Sequence, residues 1–349
     1  MTNSAKYLRL ALTATLAFFC PKVSPAQVTP INLADGIKAM DSLTGATSLD
    51  QAGLKPWHLK ISFQLYDLDG KPREKGTAEE WWFSPGRGKL VIESPSFQQT
   101  LGGQQTSGGP ADALIPHYGR NGFLVHELLD AVARPVTNFG SFDGLQIAEV
   151  PRTIGDVFLR CLVVGLQSQP SIPSPSDPST YFCTNPNTNT LRVSLGQDRP
   201  TIVRNRIGKF QNINVGLDEL ISYNSKAAIS GHVDLLETFD APGSALEPGA
   251  LHPNRFVPAI LTAGHALSSK RPTYPETARQ QHISGTVVLL GIISPQGDIT
   301  SLDVIASPAP MLSVASLDAV KQWKYRPFTF DGKATEIDTQ ITVNFSFTR

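Results

Sequence analysis

Cysteine and surplus charge are both scarce in this chain. Three cysteines in 349 residues exclude a disulfide-dense scaffold, and neither Cys161 nor Cys183 has a Cys-x-x-Cys partner or a nearby histidine to found a metal site. Basic and acidic side chains number 30 each, with no long basic run, which excludes nucleic acid and anionic lipid as electrostatic partners. Catalytic signatures are missing too. His126-Glu127 lacks a second histidine at the spacing of a zinc-binding helix, there is no Gly-x-Ser-x-Gly elbow, and no glycine loop ends in Lys-Ser or Lys-Thr. The histidines are dispersed, so no metal, no cofactor and no enzymatic activity are expected. Beyond the first 26 residues no apolar run reaches membrane-spanning length.

What is there begins with Met1–Ala26, laid out as a secretory signal: Lys6 and Arg9, an apolar stretch from Leu10 to Cys20, and Ser24-Pro25-Ala26 as a cleavage end. As helix that stretch covers about 16 Å at roughly 1.5 Å per residue, short of a hydrocarbon core of roughly 30 Å. A cleaved signal and a periplasmic location are expected, with inner-membrane anchoring as the alternative if the segment is retained. Phe18-Phe19 before Cys20 argues against lipoprotein processing. Cleavage removes Lys6, Arg9 and Lys22, leaving 27 basic against 30 acidic residues. Only Cys161 and Cys183 then remain. In an oxidising compartment they have one intrachain pairing, and a disulfide across their separation contributes on the order of 3 kcal/mol in the chain-entropy model.

Residues 27–239 are rich in short strand patterns separated by Gly, Pro and Asn. Trp57 to Asp67 alternates through Leu59, Ile61, Phe63 and Leu65 into a Leu68-Asp69-Gly70-Lys71 turn. Further strands are expected at Thr77–Ser84, Lys89–Glu93, Leu145–Val150, Phe158–Leu166, Leu191–Leu195, Arg206–Val215, Leu217–Tyr223 and His232–Phe239. Helical patterns occur at Ile31–Leu43 and Phe123–Val132. The fold class is therefore α+β: a curved antiparallel half-barrel with one or two helices, followed by a small αβ unit at 272–349. Between them, residues 240–271 carry Pro242, Pro248, Pro253 and Pro258 with Gly243, Gly249 and Gly264, and read as a linker.

The last 78 residues hold the densest pattern. The apolar run from Gly285 to Ser294 is long enough for a strand covered on both faces. Pro295-Gln296-Gly297-Asp298 supplies a turn, and Ile299 to Ile305 can return beside the run. Leu312, Ala315, Ala319, Val320 and Trp323 share a helical stripe, with Pro327 expected to stop that helix. In the closing strand Ile337, Thr339, Ile341, Val343, Phe345 and Phe347 take one face, and Glu336, Asp338, Gln340, Thr342, Asn344 and Ser346 the other. That strand either completes the core or lies at a sheet edge, where unpaired backbone groups can template a peptide.

The order Tyr274-Pro275, Gly285, Gly297, Trp323-Lys324-Tyr325-Arg326-Pro327 and a closing alternating strand resembles the C-terminal domain of the TonB family. The resemblance implies a domain that grips an extended peptide of an outer-membrane transporter by strand addition. The partner-binding residues carried over are Tyr274, Pro275, Thr339, Gln340, Ile341, Thr342, Val343 and Asn344. A cleaved protein of this kind binds but cannot pull from the inner membrane, and the long charged Pro-rich spacer of typical family members is absent. Further upstream, Glu79 to Pro85 and Lys89 to Thr100, with the strand before them, are similar to the early strands of periplasmic lipoprotein carriers of the LolA type. This implies a lipid or lipoprotein cargo, an acyl chain held in an open half-barrel, with Trp81, Trp82, Phe83 and Phe97 divided between cavity lining and packing. The Gly-rich stretch from Gly102 to Gly109 departs from that pattern.

Overall fold

The structure is a computed structural model that describes residues 29–102, 119–136, 144–154, 156–166, 179–196, 199–240, 249–250, 256–257, 266–330 and 332–346. The expected signal segment and the Gly102–Gly109 stretch beyond its first residue lie outside the described residues.

The first part of the chain builds strands β1 (Thr29–Pro30), β2 (Trp57–Tyr66), β3 (Pro72–Ser84), β4 (Arg87–Glu93), β5 (Gln98–Leu101), β6 (Leu145–Ile154), β7 (Val157–Leu166), β8 (Thr180–Thr184), β9 (Leu191–Gly196), β10 (Arg199–Phe210), β11 (Ile213–Tyr223), β12 (Lys226–Thr238) and β13 (Gly249–Ala250). They form one antiparallel sheet in the order β1-β6-β7-β8-β9-β10-β11-β12-β2-β3-β4-β13, with β5 also on β4. The sheet is open; its two ends do not close into a barrel. In β2 the alternation read from sequence becomes alternating burial. Asp67 Oδ1 accepts from the amides of Asp69 and Lys71, and Gly70 takes a φ of +79°, so the expected turn joins β2 to β3.

One boundary differs from expectation for a local reason. The reading of Arg206–Val215 as one strand is corrected: the chain reverses at Gln211 and Asn212, with φ of 46° and 69°. The next reversal, at Asn224 and Ser225, has φ of 49° and 62°. Paired left-handed residues match the right-handed twist of a hairpin, but only the asparagines announce them in sequence.

Cys161 and Cys183 face each other on β7 and β8 and form the expected disulfide. Helix α1 (Leu33–Thr47) starts at Asn32, whose side chain accepts from the Asp35 amide at 2.9 Å. Its Met40 and Leu43 pack with Leu145, Ile147, Val164 and Phe182. Helix α2 (Gly119–Ala133) lies across β11, β12 and β2. Leu124, Val125, Leu128 and Leu129 enter the main apolar cluster with Trp57, Leu59, Ile61, Trp82 and Ile92.

Past β13 come β14 (Phe256–Val257), β15 (Ala266–Ser268), α3 (Glu276–Gln280), β16 (Gly285–Ile293), β17 (Ile299–Ala306), α4 (Pro310–Val320), β18 (Lys324–Tyr325), β19 (Phe328–Phe330), β20 (Lys333–Thr335) and β21 (Ile337–Phe345). A four-stranded sheet runs β14-β21-β16-β17. One face packs Val287, Leu289, Ile341, Val343 and Phe345 against Leu312 and Val320 of α4 and Ala278 of α3. From the other face Val288, Ile305 and Ala306 join the apolar cluster of the large sheet. The unbroken apolar run therefore is buried on both sides of β16, as its composition requires.

The expected helix end is also corrected. α4 stops at Val320, well before Pro327, because Trp323 donates from Nε1 to the Lys270 carbonyl at 2.9 Å and the Tyr325 amide donates to the Gly297 carbonyl at 2.8 Å. These bonds commit Lys324–Tyr325 to an extended path beside β15. Within residues 240–271 the described short strands pair: β13 with β4, β14 with β21 and β15 with β18.

Candidate functional site

The margin of β21 is the site that the sequence singles out, and its exposure follows from the sheet order. On one side β21 pairs with β16 along its whole length, from Ile337 opposite Ile293 to Phe345 opposite Gly285. On the other side it carries only β14, parallel, with Phe256 beside Asp338 and Val257 beside Thr339. From Ile341 to Phe345 no described strand is paired on that outer side. Those five residues keep a row of backbone groups where a further strand can add.

The second edge of this sheet is engaged at one carbonyl near its end. β17 is its outer strand, and the α2 residue Arg120 donates from Nε to the Ile305 carbonyl at 2.9 Å and from Nη1 to the Tyr66 carbonyl at 2.7 Å. Burial pulls this guanidinium below its ordinary pKa, against weaker opposing attraction from Tyr223 and Asp67. Nearby, Asn224 Nδ2 donates to the Thr286 carbonyl at 2.8 Å. The face of β21 expected to be wet is in part covered by the same docking: Gln340 is buried opposite Leu290, which packs toward the large sheet. Thr342 is half-buried and Asn344 exposed, while Thr339, Ile341 and Val343 point into the module's own core.

Tyr274 and Pro275 are not on this margin. Tyr274 packs edge-on against Phe345 with ring centroids 5.3 Å apart, donates its hydroxyl to the Ile283 carbonyl at 2.6 Å, and sits beneath Arg279. Pro275 precedes the first turn of α3. The pair fastens the start of the module to the far end of β21.

The four aromatic residues of the early strands divide between two faces. Trp82 is buried, stacked on Trp57 at 5.7 Å, and donates from Nε1 to Asp50 Oδ1 at 2.7 Å. Phe97 packs at the rim of the same cluster. Trp81 lies on the opposite face, stacked on His58 at 4.5 Å with Lys89 over its ring, and Phe83 meets Phe239 edge-on. On the inner face α2 is held by buried charge. Arg134 pairs with Glu80, with Asp50 at 3.3 Å and with Asp130 at 3.5 Å; burial opposes its charge, but these carboxylates overcome that and raise its pKa. Sequence reading did not single out this cluster, because Asp50, Glu80, Asp130 and Arg134 have no motif spacing and meet only through the fold. Among the described residues no group of three or more His, Cys, Asp or Glu side chains is placed to hold a metal ion, and no helix is long and apolar enough to cross a membrane.

Comparison with known proteins bears on the C-terminal module. Residues 270–347 match the family described as Gram-negative bacterial TonB protein C-terminal. Protein TonB of Klebsiella pneumoniae is 31% identical over 97 residues, 24% of this chain and 40% of that protein. Protein TonB of Vibrio cholerae is 30% identical over 89 residues, 25% of this chain and 34% of its own length. The chain thus spans well under half of the relatives it matches. Among solved structures, a DUF1329 family protein from Desulfovibrio piger aligns with 58% of this chain and 90% of its own at 9% identity and a TM-score of 0.32. A LolA superfamily protein from Nitrosomonas europaea covers 58% of this chain and 94% of its own, at 9% identity and a TM-score of 0.31.

Proposed function

We propose that this chain is a periplasmic TonB-like binding protein that captures an extended segment of an outer-membrane transporter by adding it as a strand along β21. The observation that carries the reading is the outer margin of β21, where among the described strands only β14 pairs, at Asp338 and Thr339, in a module that matches the TonB C-terminal family. In this reading residues 27–239 form a β domain, 240–271 the connection and 272–349 the binding domain. Each new backbone hydrogen bond contributes about 0.5–1.5 kcal/mol net, against about 1–2 kcal/mol for ordering each peptide residue. Affinity is therefore modest and depends on side-chain contacts beside Thr342 and Asn344.

Synthetic periplasmic N-terminal segments of outer-membrane transporters, titrated by calorimetry, test it. Binding should slow amide exchange across Ile341–Phe345. Absence of binding by the whole panel, to a chain shown folded by circular dichroism, removes the reading.

The other reading is a lipid or lipoprotein carrier that uses the half-barrel. Its support is the open sheet with an apolar inner face, on which α2 already lies. Native mass spectrometry of the purified chain showing no bound acyl chain counts against it.

A further inference from the structure

The outer margin of β21 already holds one occupant, a piece of the same chain. β14 is two residues long and runs parallel to β21, with Phe256 beside Asp338 and Val257 beside Thr339. It therefore takes up the backbone groups at the start of the row that an incoming strand would use. Any peptide that pairs along the full length of β21 meets β14 at those two positions, and two strands cannot share one side of a third.

The sequence around β14 keeps it short. Pro258 follows Val257 directly, and Pro253 lies three residues before Phe256. A proline has no N–H to give a ladder, so extension in either direction is poor. Two residues of ladder are weak as a free ligand, but this strand is tethered. A covalently linked segment competes at an effective concentration of about a millimolar, and modest pairing is then enough to hold the position against a dilute peptide while remaining displaceable.

We infer that Phe256–Val257 is an internal competitor that lowers the affinity of the β21 margin for its peptide partner, an inference that rests on the strand-addition reading above. Regulation follows from the geometry: whatever draws Phe256–Val257 away from β21 adds Asp338 and Thr339 to the acceptor row.

The test compares the full chain with the double variant Phe256→Pro, Val257→Pro, which cannot pair. A second variant, Phe256→Cys with Asp338→Cys, locks β14 in place when oxidised; circular dichroism establishes that each is folded. Three readouts are taken: affinity for the transporter peptides, binding of a synthetic copy of residues 250–257 added in trans, and amide exchange over 337–341. Transporter peptides should bind the proline variant about tenfold more tightly, as expected when the competent fraction rises by that factor, and the locked variant more weakly than the parent. The 250–257 peptide should bind the proline variant and not the parent, and exchange over 337–341 should be faster in the proline variant. Equal transporter-peptide affinities in parent and proline variant overturn the inference and leave the strand-addition reading standing. Failure of every transporter peptide on every variant, with faster exchange and capture of the 250–257 peptide, overturns the reading while upholding occupancy of the margin. Unchanged exchange over 337–341 overturns the inference by itself.

Discussion

Ile305, one residue short of the end of β17, gives its carbonyl to Arg120 Nε at 2.9 Å. Arg120 opens α2, the helix that lies on the large sheet, so this bond joins the two sheets through one side chain. It also occupies one carbonyl of β17. In this sheet β16 is central, and among the described strands β21 keeps Ile341–Phe345 without a partner on its outer side.

Replacing Arg120 with alanine removes both of its hydrogen bonds, to Ile305 and Tyr66, and leaves two carbonyls short of a donor. Bonds from a charged donor contribute roughly 1.5–3 kcal/mol each, so a loss of about 2 kcal/mol or more is expected after partial rehydration. Urea unfolding of Arg120→Ala should show a lower midpoint, and limited proteolysis should release the C-terminal module sooner. A midpoint equal to the parent would mean that the shared apolar cluster and the Asn224 bond to Thr286 hold the sheets together without Arg120.

Gly297 is a position where no other residue fits. Its φ is +84°, and a Cβ there would stand 1.9 Å from the Tyr325 carbonyl oxygen, the residue whose amide donates back to Gly297. Gly297→Ala combines backbone strain of about 1–3 kcal/mol with a clash against backbone that cannot swing aside. A clear drop in melting temperature is expected, together with loss of the upward displacement of the Tyr325 titration: burial pushes that phenol up to about 12 in the native fold.

Local chemistry was legible in the sequence; long-range docking was not. The alternation of Ile337, Thr339, Ile341, Val343 and Phe345 gave the buried face of β21 directly, and all five are buried. The same alternation made Gln340 wet, yet it is buried, because Val288, Ile305 and Ala306 bring the sheet's second face onto the large sheet and no periodicity inside β21 reports what covers it. The β16 run did carry a trace of that docking, being apolar on both faces. The pairing of β14 with β21 left no trace at all: two residues in a Pro-rich stretch have no period to read. Helix α4 ended early for a similar reason, since the bonds from Trp323 and Tyr325 that draw the chain out reach Lys270 and Gly297.

The Cys161–Cys183 bond closes a loop between neighbouring strands, and both sulfurs are fully buried. The chain-entropy model assigns about 3 kcal/mol to a loop of this length. The double variant Cys161→Ser, Cys183→Ser should lose stability of that order and unfold at a lower urea concentration. Adding reductant to the folded parent should change little, because the bond is reached only after opening. Rapid reduction of the native chain would contradict the burial.

Glu219 predicts a pH dependence. It lies fully inside the large sheet; burial pushes its carboxyl up to about 8, with a further push from Asp218, while Arg204 pulls the other way. Arg204 Nε stands 3.6 Å from Glu219 Oε1, yet neither carboxylate oxygen has a hydrogen-bond partner among the described residues, so burial prevails. The folded pKa is raised above the ordinary 4.5, so the stability this group contributes is complete below about 4.5 and lost as pH rises toward about 8. Glu219→Gln keeps the shape and removes the ionisation. Denaturation midpoints measured from pH 5 to 9 should fall less steeply for the variant than for the parent; parallel slopes would show that Glu219 stays ionised throughout.

Tyr274 separates a fastening role from a binding role. Its ring packs on Phe345 and its hydroxyl on the Ile283 carbonyl, so it acts on the last residue of β21 and not on the open margin. Tyr274→Phe deletes one hydrogen bond and keeps the ring, a loss of about 1 kcal/mol, with transporter-peptide affinity unchanged. Tyr274→Ala also removes the contact with Phe345 and should cost about 3 kcal/mol or more, fraying the end of β21 and weakening peptide binding only as far as Phe345 becomes mobile in exchange measurements. If Tyr274→Phe instead weakens the peptide strongly while the melting temperature holds, the hydroxyl contacts the partner, and the fastening seen here is a resting arrangement that the complex rearranges.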